Sequence, residues 1–164
     1  MKPVLLVIDV QNEYFASAGG AFPQWQADET AGRIAARIRQ AEADGWPVIG
    51  VRHFLPDGAP RFQRGTEGAE NHASVAALLA DKPEIEKMHA DSFLNTGLSA
   101  LLADLGATDL FLCGIMTQNC VTHTAISPQA AGYRITVLSD CCTAPSELVH
   151  AVALNALQDR VNVA

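Results

Sequence analysis

The chain has 164 residues, 49% of them hydrophobic, with 11 Lys plus Arg against 18 Asp plus Glu and a formal net charge of −7. A chain of this length buries roughly two-thirds of its unfolded surface without disulfides or structural metal. It has no basic cluster to neutralise phosphates and no apolar run near the roughly 18 residues of a membrane span, so neither nucleic acid nor membrane is expected as a partner.

Residues 4–10 form a continuous run of β-branched and leucine side chains, the pattern of a parallel strand covered on both faces. The run is too short and too weakly flanked by positive charge for a secretory signal, and a cytoplasmic location is expected. Residues 28–44 read as an amphipathic helix with Ile34, Ala35, Ile38 and Ala41 on one side, stopped by Gly45 and Pro47. A second strand over 48–51 leaves Arg52 and His53 at its carboxyl end. Residues 54–71 hold three glycines and two prolines with no sustained period, so they form a long loop, and loops of that length are usually functional. A short helix over 74–80, a strand over 85–88, a helix over 92–105 and a strand over 110–113 follow. A helix over 119–131, a strand over 135–138, a helix over 146–157 and an edge strand over 161–163 complete the pattern. No repeat or composition shift marks a boundary. The expected fold is α/β, a single three-layer Rossmann-like domain over 1–164, with a mostly parallel sheet of about six strands and helices on both faces.

In such folds ligands bind outside the carboxyl ends of the strands, where strand order reverses. Those ends carry Asp9, His53, Lys87, Cys120 and Asp140. Asp9 stands in an apolar strand and Lys87 raises the same problem with opposite sign, because a buried charge needs a partner. A structural ion pair would satisfy both. With Cys120 on the same rim there is a second use: a carboxylate accepts a thiol proton and an ammonium steadies the developing charge. Cys120 is placed at the first turn of the 119–131 helix, where unpaired N–H groups favour thiolate and cradle an oxyanion. A small buried hydrophobe is the other use of a free cysteine. Asp140 reads as a cap for the turn that follows.

Three segments then match a known pattern in order: Val7 to Asn12, Glu86 to Thr96 with its Lys87-Met-His-Ala-Asp-Ser92-Phe93, and Cys113 to Ala125 with Gly114, Thr117, Asn119 and Cys120. They resemble the signatures of the isochorismatase-like, or cysteine hydrolase, superfamily, and the stretch from Arg64 to His72 is similar to its long-loop pattern. The resemblance implies a triad of Asp9 as general base, Lys87 as electrostatic partner and Cys120 as nucleophile. It also implies a cis Ile115–Met116 peptide, with the backbone N–H groups of Met116 and Cys120 forming an oxyanion site. Isochorismatases proper are expected to lack this cysteine, so Cys120 points to the amidase branch, related to nicotinamidases. The expected activity is cleavage of a C–N bond in a small amide, ureide or carbamoyl compound through a thioester, by a homodimer or homotetramer.

No cofactor and no metal are expected. Nicotinamidases that resemble this chain use an Asp-x-His pair, whereas Val51-Arg52-His53 lacks the aspartate and His72 alone is a weak second ligand. Tyr14, Phe15, His53, Phe93 and Asn119 are the candidate substrate-binding residues, with Phe54 and Phe62 in the long loop beside them, although ordinary packing accounts equally for each aromatic. The positions of His89 and His123 leave their roles open. Two rival readings remain: a redox sensor in which Cys141 or Cys142 resolves an oxidised Cys120, and a non-catalytic binding member of the same fold.

Overall fold

The absence of any polar side chain from Val4 to Ile8 is explained by what covers them: all five are buried, in the computed structural model, which describes residues 1–164. They belong to β1 (Pro3–Ile8), one of six parallel strands in the order β3-β2-β1-β4-β5-β6. The others are β2 (Val48–His53), β3 (Glu84–Lys87), β4 (Asp109–Ile115), β5 (Arg134–Thr143) and β6 (Asn162–Val163). Leu5 and Val7 face one core with Ile34 and Ile38 of α1 (Ala27–Ala43) and Val75 and Leu79 of α2 (Ala73–Leu79). Val4, Leu6 and Ile8 face a second core with Leu98 and Leu102 of α3 (Leu98–Asp104), Ala125 of α4 (Thr122–Ala125) and Leu157 of α5 (Glu147–Leu157). The period-2 alternation of β1 thus divides its side chains between the two outer layers, and the Rossmann-like α/β fold follows.

The chain grows outward from β1 through β2 to β3, then returns to the other side of β1 as β4. The order therefore reverses between β1 and β4, and a crevice opens at their carboxyl ends. Gly114 makes this junction possible. Its φ is 130°, and a Cβ there would lie 2.0 Å from the Ile8 carbonyl oxygen, so only glycine lets β4 pass β1 so closely. Beyond it the β4–β5 register jumps from Leu112↔Val137 to Gly114↔Cys142, which bulges β5 outward over 138–141.

The strand expected over 4–10 ends at Ile8, which leaves Asp9 just beyond it, and three further elements differ more. The helix expected over 92–105 begins only at Leu98, because side chains bind the preceding backbone in competing turns: Asp91 accepts from the Phe93 N–H, and the Thr96 hydroxyl donates to the Ser92 carbonyl. The helix expected over 119–131 is broken into a π-helical turn (Thr117–Val121), the single turn α4, and a 3-10 turn (Pro128–Ala130) capped by Ser127. β5 runs five residues past the expected end at 138. No helix is long and apolar enough to cross a membrane.

Candidate active site

Asp9 follows β1 directly and has a φ of 52°, in the left-handed region that Asp tolerates better than most residues. Its N–H is held by the Val51 carbonyl at 2.9 Å, and its side chain is fully buried. Lys87 ends β3, and the β2–β3 register sets it opposite His53. Cys120 lies in the π-helical turn after β4, so it precedes the α4 turn instead of opening a regular α-helix. These three distant stretches meet at the switch point. Lys87 Nζ lies 2.7 Å from Asp9 Oδ2 and donates to Cys120 Sγ at 3.2 Å and to the His89 carbonyl at 3.1 Å. It is also 3.4 Å from His53 Nδ1. The contact with Asp9 is one of charge more than of direction, since neither carboxylate oxygen accepts a well-aligned hydrogen bond from the protein. The carboxylate keeps acceptor capacity for another proton donor.

The cluster is almost closed to solvent: Asp9 is 0%, Lys87 2% and Cys120 2% exposed. Burial pushes the Cys120 thiol well up, the Asp9 charge pushes it further, and Lys87 opposes both. The direction runs against the expectation of a helix-terminus thiolate, because desolvation and a neighbouring anion oppose the ammonium. For Lys87, burial alone would lower the pKa, but the Asp9 carboxylate and Cys120 more than offset it, and the group stays charged. His53 is lowered, first by burial and then by the Lys87 charge, and is neutral at pH 7. The Ile115–Met116 peptide is cis. The Met116 N–H, in a residue only 9% exposed, donates to no protein acceptor.

The remaining candidates separate into two groups. Tyr14 is 3% exposed, its ring 5.0 Å from that of Phe62, whose edge in turn meets His53 at 5.5 Å, so these rings adjoin the cluster. Asn119 is half-buried beside Cys120, its N–H donating to the Met116 carbonyl. Phe15 and Phe93, by contrast, are packing residues: Phe15 stacks on His72 at 3.9 Å within the first core, and Phe93 stacks on Tyr133 within the second. Phe54 is buried beneath the Arg52 and Arg64 guanidinium groups, which lie over its ring. Asp140 is exposed inside the extended β5, its carbonyl held by Arg33, and is neither a strand end nor a cap. His89 and His123 are exposed, and His72 caps α2.

Gln11 is the residue that sequence reasoning missed. Fully buried, it grips the His53 backbone from both sides, accepting from its N–H and donating to its carbonyl at 2.9 Å each, and donates to the Ala69 carbonyl at 2.8 Å. The available signal was a polar side chain set directly after a buried strand, two residues from Asp9.

No three His, Cys, Asp or Glu side chains are grouped to hold a metal ion. A cation beside His53 does not fit, because Nδ1 already faces the Lys87 ammonium and Val51, two residues earlier in β2, is buried and offers no ligand. All four cysteines are free, and burial is the first cause that raises Cys113, Cys141 and Cys142, with Cys141 pushed up to about 12. A cavity of about 1070 Å³ opens at the opposite, amino ends of β4 and β5 around Asp109 and Arg134 and shares no residue with the cluster.

A buried acid, amine and thiol thus meet at the switch point of a parallel α/β sheet. Residues 3–164 match the family model described as the isochorismatase domain, and the chain belongs to the isochorismatase family of hydrolases. It is 32% identical to the isochorismatase family protein YddQ of Bacillus subtilis, over 96% of this chain and 92% of that one. It is 33% identical to streptothricin hydrolase of Streptomyces noursei, over 83% of this chain but only 48% of that longer protein. A crystal structure from Oleispira antarctica, assigned to the isochorismatase hydrolases, superposes with a TM-score of 0.92 at 32% identity, covering 99% of this chain and 92% of that one.

Proposed function

We propose that this chain is a cysteine-dependent amidohydrolase that cleaves the C–N bond of a small amide, ureide or carbamoyl compound. The observation that carries the reading is the meeting of Asp9, Lys87 and Cys120, with the one ammonium in contact with both the carboxylate and the sulfur. In this reading the thiol is protonated at rest, in line with the direction in which burial pushes it, and proton transfer accompanies attack. Asp9 takes the thiol proton as sulfur bonds to the carbonyl carbon, and Lys87 remains charged and balances the anion that moves between carboxylate, sulfur and substrate. The Met116 and Cys120 N–H groups receive the oxyanion. Asp9 then passes its proton to the nitrogen, the C–N bond breaks, and ammonia or an amine leaves a thioester. Water, deprotonated by Asp9, adds to the thioester, and the sulfur leaves and regains the proton, releasing a carboxylic acid.

Substrate entry requires the cover over Cys120 to move. The returning part of the long loop is pinned, since the Asn12 and His72 N–H groups donate to the Glu70 and Val10 carbonyls. The test is ammonia release from a panel of small amides at neutral pH. Cys120→Ala abolishes it, and mass spectrometry of the wild type finds the acyl group on Cys120. A Cys141→Ala/Cys142→Ala double variant retains activity. Full activity without Cys120 refutes the mechanism, and activity that depends on Cys141 or Cys142 favours the redox reading. A homodimer or homotetramer is the proposed assembly, tested by gel filtration.

A further inference from the structure

We propose that the substrate carries a carboxylate in addition to its scissile amide, and that Arg61 receives it; this rests on the amidohydrolase reading above. Within the cluster the charges of Asp9 and Lys87 offset each other, so a second charge on the substrate needs a partner elsewhere. The loop that covers the site holds two arginines, Arg61 and Arg64, and Arg52 ends the neighbouring strand. Arg52 is paired with Glu70 and Glu84, and Arg64 with Glu86 at 2.6 Å. Arg61 pairs with no carboxylate.

Arg61 is exposed but not loose. Its guanidinium lies over the Phe22 ring, 5.1 Å from the centroid, an arrangement that orients the planar fork and leaves its N–H groups free. From there an unbroken wall of rings leads inward: Phe22 to Tyr14 at 6.2 Å, Tyr14 to Phe62 at 5.0 Å, and Phe62 to His53 at 5.5 Å, with His53 touching Lys87. Burial raises the Tyr14 phenol first, the charges of Asp9, Cys120 and Glu13 add to that, and Arg61 opposes them, so the arginine and the cluster both act on this one ring. The nearest competitor is Glu13, but its carboxylate is turned against Gly68, where a Cβ would lie 2.2 Å from Oε2.

The loop's backbone is built to hold this arrangement. Phe62 has a φ of 52°, unusual for a bulky residue, and its carbonyl accepts from the Leu55 N–H at 3.0 Å. That turn buries the Phe62 ring against His53 and leaves the adjacent Arg61 at the outer end of the wall. His53 adds a second donor. An ammonium only donates, so Nδ1 facing Lys87 is the acceptor and the ring proton sits on Nε2. Arg61 is thus the cation at the outer end of the wall, and a planar anion suits its guanidinium fork.

The experiment compares succinamate and glutaramate with the neutral amide butyramide. The expected kcat/KM ratio of acid over neutral amide is ~10–100, the span of a charge-assisted hydrogen bond. Arg61→Met brings the ratio toward one through KM, and Arg61→Lys gives an intermediate value. A ratio near one in the wild type, or one unchanged in Arg61→Met, overturns the inference. Calorimetric titration of Cys120→Ser with succinamate reads binding without turnover. Adding Arg61→Met weakens it ~10-fold or more, and no such loss overturns the inference on its own. Failure of all amides to turn over, with Arg61-dependent binding intact, overturns the hydrolase reading instead.

Discussion

Replacing Lys87 by Met tests whether the Asp9–Lys87 contact is a desolvated ion pair. Both side chains have no solvent exposure, and the charges are 2.7 Å apart. Met fills the aliphatic volume but leaves the Asp9 carboxylate buried with neither water nor cation, and breaking a buried pair in this way costs about 3–5 kcal/mol. Against the ordinary stability of about 5–15 kcal/mol, that is a large fraction, and for a chain of this size it lowers the melting temperature by roughly 6–20 °C. Asp9→Asn in the Lys87→Met background removes the stranded charge, and Asn suits the left-handed backbone at position 9. The double variant is therefore expected to recover most of the lost stability while remaining inactive. Urea unfolding at pH 7, followed by the fluorescence of Trp25 and Trp46, measures all four corners of the cycle. A Lys87→Met protein within about 1 kcal/mol of wild type, or a double variant no more stable than Lys87→Met, refutes a buried pair.

Gly114→Ala forces a Cβ to 2.0 Å from the Ile8 carbonyl at a φ of 130°, and is expected to cost more than about 3 kcal/mol or to prevent folding; a normal urea midpoint would contradict the close β1–β4 approach. Thr124→Val leaves the buried Ser92 N–H and hydroxyl without the Thr124 oxygen they share, for an expected loss of about 1–3 kcal/mol in the same assay. His53, His72 and His150 are all lowered, with burial the first cause in each, so below the ordinary histidine value of about 6.5 the unfolded chain binds more protons than the folded one. Their contribution is full above that value and is lost as pH falls through it toward their folded values. The urea midpoint should therefore drop between pH 7.5 and 5.5, and His→Gln variants should flatten the drop; a flat wild-type profile would remove the histidine account.

What the sequence made legible is what depends on local pattern. β1 and α1 were readable because burial on two faces, or on one stripe, writes itself into residue order, and Asp9, Lys87 and Cys120 stood out as chemistry-bearing residues at the ends of such runs. Element ends failed where side chains competed with the backbone. Thr96 and Asp91 hold 91–97 in turns although its composition permits a helix, and the π-helical turn at Cys120 carries no periodic mark. Gln11 was missed because a clamp on the His53 backbone is a tertiary contact across 42 residues.

The ionisation of Cys120 shows where local reading ends and the fold takes over. A thiol near a helix start, with a lysine in its motif, reads as a thiolate, and the Lys87 charge does pull in that direction. The sign is nevertheless set by two quantities that only the packed structure contains: the depth at which the sulfur sits and the side on which the Asp9 carboxylate lies. The same carboxylate that opposes ionisation at rest is the group able to take the proton. A thiolate whose proton had gone to solvent would leave Asp9 none to accept and none to pass to a leaving nitrogen. A protonated sulfur beside a carboxylate with free acceptor capacity supplies both. The raised thiol therefore fits the proposed chemistry better than the lowered one the sequence implied, because the proton it retains is the one the leaving group needs.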